Sequence, residues 1–98
     1  MKKYVFLIIS LLFLNMFSFA GDSLFFELKK AKNLKDKAWI LNRISDYYLD
    51  INLDSSRYYA DSAMSLGNKL SDFRTVSDAW VNLGNAFYFE GELDSALL

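Results

Sequence analysis

Residues 80–96 read Trp80-Val81-Asn82-Leu83-Gly84-Asn85-Ala86-Phe87-Tyr88-Phe89-Glu90-Gly91-Glu92-Leu93-Asp94-Ser95-Ala96. Trp80, Leu83 and Phe87 recur at helical spacing and make one apolar stripe. Gly84 and Ala86 are small residues set among them. Helices approach closely only where one side is small, and Gly inside a helix costs roughly 0.5–1 kcal/mol relative to Ala. Gly84 therefore reads as a point of close backbone approach, with the three large residues filling the space around it. A large side chain there is expected to overpack the contact, at a cost of roughly 1–3 kcal/mol. Gly91-Glu92 reads as a turn, and Asp94 as the opening of a further helix that carries Ala96.

The same grammar occurs earlier in the chain at an offset of 40. Asn42 aligns with Asn82, Tyr47 with Phe87 and Tyr48 with Tyr88; Leu53-Asp54-Ser55 aligns with Leu93-Asp94-Ser95, and Ser56 with Ala96. Each copy is a long helix ending in an aromatic pair, a short turn, and Leu-Asp-Ser opening a partner helix. The second copy fits W-x2-L-G-x2-[YF] and resembles the tetratricopeptide repeat, a helix-turn-helix unit of roughly 34 residues. The first copy has Ile40, Arg43 and Ile44 in place of Trp80, Leu83 and Gly84, and the family's boundary proline is missing throughout. The longer period resembles that of exported or membrane-anchored bacterial sensor proteins. The resemblance implies an all-α fold, a right-handed α-solenoid of about one and a half repeats.

Helical periodicity also places the remaining elements. A leading helix is expected within 22–33, with Leu24, Phe25, Leu28 and Ala31 inward and Asp22 or Ser23 at its start. A second is expected over about 35–49, with Ala38, Leu41, Ile44 and Tyr48 on a stripe widened by Trp39, Ile40 and Tyr47. A third, about 55–70, turns Tyr59, Ala60, Ala63, Leu66 and Leu70 inward, and Asp72 is a good N-cap for a fourth over about 73–90. The first repeat thus covers 34–72 and the second, cut short, 73–98.

In the family the first helix of each pair lines a concave groove. The resemblance places Asp78, Val81, Asn85, Tyr88 and Phe89 there in the second copy, and Ala38, Leu41, Ser45, Tyr48 and Leu49 in the first. Asn82 and Asn85 match the asparagines with which some members clamp a peptide's terminal carboxylate. The cation of that clamp is replaced by Val81 in one copy and Leu41 in the other, so an extended or helical segment of mixed polarity is the expected partner.

Composition excludes several chemistries. The chain has 98 residues and no Cys or His, so disulfides, the usual zinc and haem ligands, and Ser-His or Cys-His nucleophile pairs are absent. Asp46, Asp50 and Asp54 lack the Gly and terminal Glu of a calcium loop, and Glu90 and Glu92 flank a turn without pocket-forming neighbours. No catalytic, cofactor-binding or metal-ligating residue is assigned, and the chain is not expected to be an enzyme. No basic patch favours nucleic acid, so the expected partner is a protein or peptide.

Met1-Lys2-Lys3 is a short basic start, Tyr4 to Leu14 is apolar but for Ser10, and Ser18-Phe19-Ala20 precedes Gly21. This is the pattern of a secretory signal peptide over residues 1–20, with an uncleaved anchor as the alternative. The 78 residues that follow make one small domain. They carry nine basic against twelve acidic groups. Membrane contact is expected only through the signal segment or a later span. The expected setting is the periplasm or envelope. By family analogy the chain is read as the N-terminal sensor part of a longer signalling protein, such as a histidine kinase or a transcriptional regulator. A freestanding scaffold is the alternative, and the support domain of an enzyme a more distant one.

Overall fold

The computed structural model describes residues 21–97, and within them the only regular secondary structure is helix. Helix α1 covers 21–30, α2 Leu34–Tyr48, α3 Leu53–Leu70 and α4 Phe73–Leu97. The fold is all-α. The expected signal segment lies outside the described residues. Among those described, no helix is long and apolar enough to cross a membrane.

Short polar side chains set the helix starts. Asn33 is extended at φ −133° and its side chain accepts the Asp36 N–H at 2.8 Å; Asn52 does the same for Ser55 at 3.1 Å. α2 and α3 thus begin at Leu34 and Leu53, slightly ahead of the starts near 35 and 55 that periodicity implies. Asp36 and Asp54 sit in the first turns, where the helix dipole favours negative charge. α3 ends at Ser71, which takes the left-handed conformation (φ 55°), and the Asp72 N–H returns to the Gly67 carbonyl at 2.9 Å.

Asp72 opens α4, as its sequence position implies. Its carboxylate accepts the Thr75 hydroxyl at 2.9 Å and the Thr75 N–H at 3.4 Å. The Thr75 hydroxyl bond is the main cause that holds Asp72 below the usual carboxylate range. A depressed folded-state value means that the stabilisation is full above the ordinary Asp pKa of about 3.9 and is lost as pH falls through the lowered one. Asp72→Ala should therefore lose less melting temperature between neutral and strongly acidic pH than the parent chain. Thermal melts at the two pH values check this, and an equal loss in both chains would remove Asp72 from the acid response.

Tight connections at 49–52 and 71–72 make sequential helices antiparallel neighbours. The core is made largely of small residues: Ala38, Ala60, Ala63, Ala79 and Ala86, joined by Ile40, Ile44 and Leu83. Small side chains let the helices come close. Gly67 marks a tight approach, because a Cβ there would stand 2.9 Å from Thr75 Cγ2 and 3.0 Å from Val76 Cγ2. Across α2 and α3, Ser45 Oγ donates to the Ser56 carbonyl at 2.7 Å and Ser56 Oγ donates to the Ser45 carbonyl at 2.8 Å. These two buried residues satisfy each other without water. Phe25, Tyr48 and Tyr59 pin α1, α2 and α3 together, with Tyr48 and Tyr59 stacked at 5.7 Å. Burial pushes the Tyr59 phenol above its ordinary value.

The reading of 80–96 needs three corrections. First, α4 is unbroken through Gly91, so no turn and no fifth helix form there. Gly costs a helix only about 0.5–1 kcal/mol relative to Ala, and a break would give up several backbone hydrogen bonds. Leu93 is exposed, so no packing repays that loss. Second, Gly84 is exposed and nothing stands within 4 Å of its would-be Cβ. The close approach belongs to Gly67. Third, Trp80 and Phe87 are each 62% exposed, and only Leu83 of the expected stripe is buried. α4 turns Thr75, Ala79, Leu83 and Ala86 inward, a face well round the helix from Trp80, Gly84 and Phe87. The offset of 40 nevertheless has a physical counterpart. Asn82 Nδ2 donates to the Asn42 carbonyl at 3.1 Å, so the aligned asparagines touch.

Candidate functional site: the α2–α4 groove

α2 and α4 are both antiparallel to α3 and leave a groove between them. Its α2 wall is Lys35, Trp39, Asn42 and Asp46, spaced i, i+4, i+7 and i+11 on one helical face, with Arg43 beside them. Its α4 wall is Arg74, Asp78, Val81 and Asn82. The central cleft, about 200 Å³, holds Trp39, Asn42, Arg43, Asp46, Asp78, Val81 and Asn82. An outer cleft of about 470 Å³ shares Trp39 and Asp78 with it and extends to Lys35, Asp36, Asp72, Arg74 and Thr75.

The floor is an amide ladder. Asn42 is buried, donates from Nδ2 to the Thr75 carbonyl at 3.1 Å, and accepts Asn82 Nδ2 on its own carbonyl. These bonds fix α4 against α2 and leave no amide swinging free. Above the floor Trp39 is 52% exposed. The Arg43 guanidinium lies 4.8 Å from its ring centroid and donates to Glu27 of α1 at 2.8 Å. No hydrogen bond or ion pair in the described residues reaches the carboxylates of Asp46 or Asp78.

The residues assigned to a groove from the sequence are scattered. Asp78 and Val81 line it. Ser45 is fully buried in the α2–α3 seam, and Tyr48 belongs to the aromatic cluster with Phe25 and Tyr59. Ala38 is core, and Leu41 is half-buried. Asn85 and Tyr88 are exposed on α4 outside the cleft walls. Leu49 and Phe89 line a different cleft of about 560 Å³ at the other end, beside Arg57. There Arg57 is bonded to Asp54 and Glu90, which raise its pKa. On α2 the face that lines this cleft is the assigned one rotated by a single residue, 39-42-46 in place of 38-41-45. The polar spacing of Lys35, Trp39, Asn42 and Asp46 is the signal that would have found it.

Among the described residues, no group of three or more acidic side chains is placed to hold a metal ion. No family model matches the chain, and no curated protein or solved structure matches it either.

Proposed function

We propose that this chain is a protein- or peptide-binding module, a tetratricopeptide-like helical array serving outside the cytoplasm as the sensor portion of an envelope signalling protein. The observation that carries the binding role is the α2–α4 groove, with a half-exposed Trp39 above a hydrogen-bonded Asn42–Asn82 floor. A large amphipathic ring held at the centre of a preformed groove is the usual anchor of a recognition site. The contact between Asn42 and Asn82 supports the array reading, because stacked repeats touch at equivalent positions. The export and signalling parts rest on the apolar start of the sequence and on the family resemblance.

The binding role is tested with the purified chain carrying Trp80→Phe, so that Trp39 is the one remaining indole. Screened against a random peptide library, this protein should yield peptides that change Trp39 fluorescence. Trp39→Ala in the parent chain should weaken the same peptides by about tenfold or more. Its helicity and melting temperature should stay near the parent's, because the ring is half in water. Peptides that bind Trp39→Ala undiminished, or a library that yields no binder, would overturn the assignment of the groove.

A further inference from the structure

We infer that the central cleft takes a cationic side chain: the partner of the α2–α4 groove is a peptide segment presenting Lys or Arg beside apolar residues. This rests on the groove being the binding face, and it specifies what lies there. The charged groups that face the groove are Glu27 from α1, Lys35, Asp36, Arg43 and Asp46 from α2, and Asp72, Arg74 and Asp78 from the start of α4. Several are already engaged. Arg43 is bonded to Glu27, and Asp72 holds Thr75. Lys35 and Arg74 stand at the outer end, beside Asp36 and Asp72.

The central cleft is left with two carboxylates, Asp46 and Asp78, that have no partner in the described residues. Its one cation, Arg43, is already neutralised. A ligand carboxylate would meet two like charges and would have to share Arg43 with Glu27. A ligand cation would meet two opposite ones and displace nothing. At about 200 Å³ the cleft is smaller than a typical small-molecule pocket and has the size for one long side chain. Trp39 and Val81 supply apolar surface for the methylene stem, leaving the charged head to the carboxylates. Charge complementarity of this kind sets partner choice and encounter rate more than raw affinity.

The experiment uses three labelled peptides of identical apolar content, whose polar positions are all Lys, all Gln or all Glu, titrated into the full chain by fluorescence anisotropy. The Lys peptide should bind at least about tenfold more tightly than the Glu peptide, with the Gln peptide between them. Asp46→Asn with Asp78→Asn should collapse that preference to within about threefold. Asp61→Asn with Glu92→Gln, which makes the same change in net charge elsewhere, should leave it intact. A Glu peptide that binds as well as the Lys peptide would overturn the cationic partner while leaving the groove in place. Equal loss in the control pair would assign the preference to bulk charge and overturn it too. If none of the three binds, the groove reading itself falls, and the inference with it.

Discussion

Ile44→Ala is expected to lower the melting temperature by roughly 12–24 °C, the loss that about 3 kcal/mol produces in a domain of this size. Ile44 is fully buried, and among the described residues it is the largest side chain enclosed to that degree. Most of the core around it is alanine, which cannot reach into the space that a truncation leaves. Removing three carbons therefore forfeits transfer free energy and opens a cavity that the backbone closes poorly. Trp80→Ala and Phe87→Ala remove more atoms, but from side chains that are 62% exposed, so they should cost far less. Circular dichroism melts of the three variants check the order. A drop for Ile44→Ala no larger than that for Trp80→Ala would mean that the α2–α3 seam is loosely packed.

Gly67→Leu is expected to cost about 3 kcal/mol, at the upper end of ordinary overpacking. The first added carbon already meets Thr75 Cγ2 at 2.9 Å and Thr75 Cβ at 3.1 Å. Thr75 cannot swing aside freely, because its hydroxyl is bonded to Asp72 and its carbonyl to Asn42. The α3–α4 turn is fixed as well, through the left-handed Ser71 and the bond from Asp72 to the Gly67 carbonyl. α4 would have to move as a body and break the amide ladder. Gly84→Ala should do the opposite and stabilise the chain by about 0.5–1 kcal/mol, since the position is helical and open. Denaturant unfolding of both variants decides between the two glycines. Destabilisation by Gly84→Ala would restore the close approach to that residue.

The helices were legible because periodicity and local capping are short-range. Ala38, Ile44, Ala60 and Ala63 are core as their spacing implies, and Asp72 caps α4. The break at Gly91 was misread because a glycine permits a turn without requiring one. Packing decides, and past Glu90, which Arg57 holds, residues 91–96 of α4 are exposed. Gly84 was misread for a related reason: a small residue in an apolar stretch marks a close approach only if that face of the helix is the buried one. Sequence alone does not say which of two apolar faces on α4 wins. The face with Ala79, Leu83 and Ala86 does, because alanine admits a neighbouring helix and Trp80 and Phe87 hold it off. The groove on α2 was missed by one residue, or about 100° of rotation, which is enough to exchange a buried Ser45 for an exposed Asp46.

The alanine-rich interior has a thermal consequence. The heat-capacity increment of unfolding follows the apolar surface that melting newly hydrates. Methyl groups contribute little of it, and the half-wet indole and phenyl rings of α4 are already hydrated in the native state. The stability curve of this bundle is therefore shallow, changing gently from cold to warm and placing cold denaturation far below freezing.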